Sequence, residues 1–182
     1  MTDFVENLMS RASKLGKTIA LAEGDDVRAA KAAEILTQKG VCKVVLIGNE
    51  EQIKAKFPEI DFTGVAFDDP KTSAHRADYA NTLYELRKAK GMTEEQALNV
   101  VTNNNMFYAC VALKRGDVDG VVGGAVFSSA DVSRAAFQVI KAAPGISSVS
   151  SCFVMVPPED FKYKKYPAYI FSDCAVIPYP TS

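Results

Sequence analysis

Apolar and polar residues alternate along the chain with two different spacings. Short, β-branched apolar runs predict buried strands, whereas longer segments with apolar residues three and four positions apart predict amphipathic helices. The predicted strands cover residues 17–22, 43–48, 64–67 and 118–124. The predicted helices cover residues 23–40, 49–57, 72–90, 93–102, 104–116 and 128–143, after a first helix that ends near Gly16.

Capping residues support several of these helix boundaries. Asp25 or Asp26 provides an N-cap for the helix that ends at Gly40, because a short polar side chain accepts from a free N–H and glycine tolerates the final turn. Thr93 and Gln96 have the spacing of a capping box at the start of the fifth helix. These helix limits therefore rest on capping chemistry as well as on periodicity.

Strands that alternate with helices predict an α/β fold, here a three-layer αβα sandwich around a mainly parallel sheet. Parallel strands are joined by right-handed crossovers, and ligands bind outside the carboxyl ends of such strands. The loops that follow the predicted strands are therefore the places where functional residues are expected.

The pattern changes after residue 145. Two apolar runs, residues 148–156 and 168–176, are joined by a polar connection that contains prolines, and no helix follows them. They predict a hairpin or the start of another sheet. The predicted domains are residues 1–145, a first α/β domain, and residues 146–182, the start of a second domain.

Composition and charge exclude several classes of function. The chain has 182 residues with 21 basic and 22 acidic side chains, and its formal net charge is −1. This charge provides no general attraction to nucleic acid or to an anionic membrane surface. No apolar run approaches the roughly 20 residues that cross a bilayer, and the first residues lack the pattern of a secretory signal. A cytoplasmic protein that binds neither nucleic acid nor membrane is expected.

Cysteine and histidine usage argues against a metal site. Cys42, Cys110, Cys152 and Cys174 lie far apart and form no CxxC pair, and His75 is the single histidine. Neither a zinc site nor a small disulfide framework fits this distribution. No metal is expected, and the cysteines are predicted to be buried free thiols.

Glycines and serines stand where the last predicted strand turns into a helix, in "VDGVVGGAVFSSADVSR". Gly123 and Gly124 permit close approach of the backbone to a ligand, and Ser128 and Ser129 add hydroxyls where the helix begins, which suits an anion such as phosphate. Arg134 follows on the same helix and suits bidentate binding of phosphate. The alternative is structural: a serine caps the helix and the glycines permit a tight turn.

Five segments resemble, in order and spacing, the first half of the phosphate acetyl/butyryltransferase family. They are "KTIALAEGDDVR", "KVVLIGN", "ELRKAKGMT", "DGVVGGAVFSSADVSRAAFQVIKAAPG" and "FSDCAVIPYPT". The resemblance implies a two-domain α/β fold similar to the isocitrate and isopropylmalate dehydrogenases, with the active site between the domains. It also implies that the first domain is incomplete here, because family members build it from both ends of a longer chain.

The resemblance implies reversible transfer of an acetyl group between coenzyme A and phosphate, with acetyl phosphate as the second acetyl carrier. Coenzyme A is then a substrate, and no further cofactor is expected. Arg87 and Arg134 correspond to arginines that bind coenzyme A, and Ser129, next to Ser128, corresponds to a small hydroxyl residue near the acyl phosphate. A homo-oligomer is also expected.

The catalytic residues are unknown, because the family's principal serine, arginine and aspartate have no counterpart in this sequence. The isolated chain is therefore expected to be inactive or weakly active. The sequence also departs from common family residues, with Phe127 in place of a histidine, Ala22 in place of a proline, and Ile177 and Tyr179 in place of asparagines. These departures put local polar contacts and the acyl-chain preference in doubt.

Three alternatives stay open from the sequence. The first is phosphate butyryl transfer, which belongs to the same family. The second is a non-catalytic module that binds coenzyme A or phosphate, or that assembles with another chain. The third, a nicotinamide-dependent oxidoreductase, fits the strand and helix alternation but lacks the GxGxxG fingerprint.

Overall fold

The computed structural model describes residues 3–146, 149–174 and 176–177. These residues form two compact units, one made of residues 15–141 and the other of the described parts of residues 1–14 and 142–182. The predicted division into domains at residue 145 stays a prediction.

The larger unit contains a four-stranded parallel sheet. Its strands are β1 (Thr18–Leu21), β2 (Lys43–Ile47), β3 (Ala66–Asp68) and β4 (Gly120–Val122), in the order β3-β2-β1-β4. All three pairings, β1 with β2, β1 with β4 and β2 with β3, are parallel. The predicted α/β fold with a parallel sheet is confirmed.

Seven α-helices accompany the strands of the described chain: α1 (Asp3–Ser13), α2 (Val27–Gln38), α3 (Glu50–Lys56), α4 (Arg76–Arg87), α5 (Glu94–Asn103), α6 (Asn105–Arg115) and α7 (Ser129–Ala135). A 3-10 turn, Lys88–Lys90, extends α4, and a π-helical turn, Ala136–Ile140, extends α7. The predicted capping box of α5 is present, with reciprocal hydrogen bonds between Thr93 and Gln96. None of the described helices has both the length and the apolar character needed to cross a membrane.

Helix α4 begins later than the sequence predicts, at Arg76 instead of residue 72. Asp69 causes this difference, because its carboxylate accepts from the Lys71 N–H and its carbonyl accepts from the N–H groups of Thr72 and Ser73. Side chains such as aspartate offer the backbone an alternative to the helix by bonding of this kind. Residues 70–73 are thereby held in a turn.

Residues of the two central strands alternate between two buried clusters. Ala20 and Ile47 pack with side chains of α4, α5, α6 and α7. Leu21 and Leu46 pack with side chains of α2 and α3. Because successive side chains of a strand point to opposite faces of its sheet, helices cover both faces of these strands.

The strand order reverses at β1. The chain passes from β1 to β2 and β3 on one side, and β4 lies on the other side of β1. Loops that follow two such strands diverge, and the crevice between them is the usual ligand site of open α/β sheets. The fold therefore directs attention to the loops after β1 and β4.

The smaller unit contains a β-hairpin formed by β5 (Cys152–Met155) and β6 (Tyr169–Ser172), which pair in antiparallel fashion. The predicted hairpin is confirmed. The prediction of buried cysteines is wrong for Cys152 and Cys174, which are exposed, and for Cys42, which is only half-buried; it is confirmed for Cys110. Cys152 lies on β5 and Cys174 follows β6, and the side chains of both strands are largely exposed.

Candidate functional site

A cleft of about 400 Å³ lies at the carboxyl end of β1. It is lined by the loop after β1, the loop after β4, the end of α3 and the start of α6. The lining residues are Ala22, Glu23, Asp25, Asp26, Lys56, Asn105, Val126 and Phe127. The cleft therefore occupies the point where the strand order reverses.

Glu23 connects the two loops that border this cleft. Its Oε2 accepts hydrogen bonds from the N–H groups of Gly124 and Ala125 at 2.9 and 2.8 Å. Its Oε1 accepts from the N–H groups of Val126 and Phe127 at 2.6 and 2.7 Å. Successive N–H groups that converge on one point form an anion-binding nest, and here the bound anion is a carboxylate of the chain itself.

The Glu23 carboxylate is ionised in this environment. Of the charged residues that the structure describes, Glu23 alone is buried, with 7% of its surface exposed. Burial raises the pKa of this carboxyl, but the four backbone N–H donors outweigh burial and hold the pKa below its usual value of 4.5. A charge can be buried at modest cost where its hydrogen bonds are complete.

A second contact joins the same two loops. The Arg28 guanidinium forms a bidentate pair with Asp26 at 2.8 and 2.9 Å and donates to the carbonyl oxygen of Ala125. Asp26 also caps α2 by accepting from the Arg28 N–H. Hydrogen bonds from the Arg28 side chain and N–H lower the pKa of Asp26 to about 2. The segment from Glu23 to Arg28 thus forms hydrogen bonds with both N–H and C=O groups of the loop between β4 and α7.

The paired glycines allow close packing at one position and a turn at the next. A Cβ at Gly123 would lie 2.1 Å from the Met106 terminal methyl group, and Met106 is almost fully buried on α6. Gly124 has a φ of +109°, which side-chain-bearing residues rarely adopt, and its N–H donates to Glu23. Packing against Met106 accounts for Gly123, and the turn that binds the Glu23 carboxylate accounts for Gly124. The sequence interpretation relates both glycines to the approach of an external anion.

The predicted serines differ in their surroundings. Ser128 is the N-cap of α7: its Oγ accepts from the Asp131 N–H at 3.2 Å and donates to the Asp131 carboxylate at 2.6 Å. Ser129 is the first residue of α7 and is exposed. The structural alternative from the sequence, a serine cap, therefore describes Ser128.

The predicted arginines lie on different helices. Arg134 is on α7, with 57% of its side chain exposed, and pairs with Asp131 at 2.9 Å. Arg87 ends α4, and its Nε is buried without a hydrogen-bond partner in the described structure. Ser128 and Arg134 meet through Asp131, whereas no described hydrogen bond or ion pair joins Arg87 to them.

Comparison with known proteins assigns the chain to a protein family. A model of the phosphate acetyl/butaryl transferase family matches residues 3–182. The chain belongs to that family. It is 45% identical over 177 residues to a phosphate acetyltransferase of Acetivibrio thermocellus, covering 97% of this chain and 53% of the relative. It is 42% identical over 182 residues to a phosphate acetyltransferase of Clostridium acetobutylicum, covering 99% and 54%.

A solved structure is similar as well. The EutD phosphotransacetylase from Staphylococcus aureus aligns with a TM-score of 0.85 and 30% identity, covering 98% of this chain and 52% of that one. This member of the phosphate acetyl/butaryl transferase family thus spans about half the length of the curated relatives it matches.

Sequence reasoning missed Glu23 and Arg28 of this family member. The hydrophobic pattern places "EGDDVR" at the start of a helix with an aspartate cap, and it assigns no separate role to Glu23 or Arg28. The position of Glu23 could have identified it as a candidate, because it directly follows a buried strand. Residues at the carboxyl ends of parallel strands commonly contact a ligand or a neighbouring loop. The partner of Glu23 lies about 100 residues away in the sequence, and neither spacing nor periodicity identifies it.

We predict that Gly123→Ala destabilises the fold through Met106. Overpacking of a tight core contact typically costs about 1–3 kcal/mol. In a Met106→Ala background the added methyl enters the vacated space, so the cost of Gly123→Ala is expected to fall by at least about 1 kcal/mol. Urea denaturation of the four proteins measures this coupling, and strictly additive effects would contradict the contact.

We also predict that Glu23→Gln destabilises the protein in a pH-dependent way. A glutamine side chain has one acceptor oxygen for four N–H groups, and stability at pH 7 is expected to fall by about 2 kcal/mol. Since folding lowers the pKa of Glu23, its contribution is present above the unfolded-state pKa and is lost as the pH falls through the folded-state pKa.

The measurement is the free energy of unfolding of both proteins between pH 7 and pH 3. The difference between them is expected to shrink toward acidic pH. Other carboxylates also titrate in this range, but they are common to both proteins and cancel in the difference. A difference that stays constant with pH would contradict an ionised Glu23.

Proposed function

We propose that this chain forms one wall of the active site of a phosphate acetyltransferase. The reaction is reversible transfer of acetyl between coenzyme A and phosphate. In the thioester-forming direction, the coenzyme A thiol loses its proton, sulfur attacks the acetyl carbon of acetyl phosphate, and phosphate leaves with the electrons of the broken C–O bond. The observation that carries the proposal is the family match over residues 3–182, with relatives that are named phosphate acetyltransferases.

Arg134 and Arg87 are proposed to bind the phosphate groups of coenzyme A. The ion pair of Arg134 with Asp131 is exposed, and such pairs contribute little to stability, so the guanidinium is available for a phosphate. The Nε of Arg87 is buried and unpartnered among described residues, which leaves one donor to be satisfied by a ligand or by water.

Ser129 is proposed to lie near the acyl phosphate. Its side chain is exposed, and no described hydrogen bond occupies its hydroxyl. Ser128 is proposed as its supporting neighbour, because its own hydroxyl is engaged with Asp131. The roles assigned here are binding roles, and no described residue is assigned as the base that ionises the thiol.

Several expectations from the sequence stay predictions. They are the likeness to isocitrate and isopropylmalate dehydrogenases, the homo-oligomer, the cytoplasmic location, the absence of a further cofactor, and acetyl in place of butyryl as the transferred group. The cytoplasmic location follows from the composition and the other expectations follow from the resemblance, and none is needed for the binding test below.

The test is calorimetric titration of the chain with coenzyme A. Arg134→Ala and Arg87→Ala are each expected to weaken binding about 10- to 100-fold, because a charge-assisted hydrogen bond contributes about 1.5–3 kcal/mol. Arg11→Ala is the control, since Arg11 is an exposed arginine of helix α1 and is not one of the predicted site residues. Failure of the unaltered chain to bind coenzyme A, or equal binding by all variants, would overturn the proposal.

A further inference from the structure

The β4–α7 loop, residues 123–128, holds an anion that the chain supplies itself. Four successive N–H groups, those of residues 124–127, point at one carboxylate. In this conformation the carboxylate satisfies all four N–H groups, and without it they would need water or another anion as acceptor. The Glu23 charge therefore favours this shape of the loop.

These four donors are unavailable to a substrate while Glu23 occupies them. An external phosphate that entered the nest would have to displace a carboxylate that is buried and covalently tethered. Substrate anions must accordingly be met by other groups. The candidates are the Ser129 hydroxyl and the Arg134 guanidinium, which belong to the helix that directly follows the loop.

We propose that Glu23 is a positioning residue: its carboxylate fixes the β4–α7 loop and so places Ser129 and Arg134. The effect on the loop follows from the described hydrogen bonds alone. The effect on ligand binding rests on the function proposed above.

The chemistry of the nest explains why glutamate is needed. Each carboxylate oxygen receives two N–H groups, which uses the acceptor capacity of both oxygens. Glutamine keeps the shape but turns an NH₂ group toward two of the donors. Alanine removes the anion and leaves the nest open to a small carboxylate from solution.

The first arm of the test measures the loop. Hydrogen exchange of the amides of residues 124–127 is followed by NMR in the full chain, in Glu23→Gln and in Glu23→Ala. Exchange is expected to be at least about tenfold faster in both variants, since protection reports local opening. Glu50→Gln is the control, because it removes an exposed carboxylate that pairs only with Lys54 on α3. Unchanged protection in the Glu23 variants would overturn the proposal.

The second arm tests chemical rescue. Formate is expected to restore amide protection in Glu23→Ala in a saturable way, and to leave Glu23→Gln unaffected because the glutamine side chain fills the nest. If Glu23 acted only through packing, added formate would not restore amide protection in Glu23→Ala. Absence of rescue in Glu23→Ala would show that the nest needs no anion and would overturn the proposal. Glu23→Gln keeps the first arm decisive if Glu23→Ala does not fold.

The third arm measures coenzyme A affinity by calorimetry. Glu23→Gln is expected to bind about tenfold more weakly than the unaltered chain, whereas Glu50→Gln binds equally, since a loose supporting contact degrades a binding site. Faster amide exchange with unchanged affinity would overturn the positioning role. If the unaltered chain does not bind coenzyme A, the proposed function fails, and the exchange and rescue arms still decide what Glu23 does to the loop.

Discussion

The larger unit depends on one buried charge at the place where its strand order reverses. Glu23 follows β1, and its carboxylate accepts hydrogen bonds from a nest of backbone N–H groups in the loop after β4. The two strands are already neighbours in the sheet, but their loops lead to helices on opposite faces and would otherwise diverge. The carboxylate keeps the loops together, and the bond from Arg28 to the Ala125 carbonyl adds a second tie.

The balance of desolvation and hydrogen bonding decides whether such a charge is tolerable. An isolated buried carboxylate would take up a proton, because burial disfavours its charged form. Here the lowered pKa of Glu23 shows that the backbone donors outweigh burial. Such a group favours one loop conformation, since four N–H donors share the two oxygens of a single carboxylate.

The sequence predicts the larger unit well where the information is local. Short-range chemistry predicts strands β1, β2 and β4 and the capping box of Thr93. The start of α4 could not be placed, because the turn at Asp69 competes with the helix by side-chain bonding. The partner of Glu23 could not be named either, because their contact spans more than 100 residues and depends on strand order.

The glycine and serine turn shows that one sequence pattern is compatible with more than one physical role. The sequence leaves open whether residues 123–129 bind an external anion or only form a capped turn, and in the structure the N–H groups of residues 124–127 bind the Glu23 side chain. Met106 packs against Gly123, so the same glycine that suits ligand approach also suits helix packing. An internal carboxylate has the advantage that it is always present. The loop is therefore organised before any substrate arrives, and the ordering cost does not fall on substrate binding. Under the proposed function, the loop places exposed groups such as Arg134, and these groups bind the substrate anions.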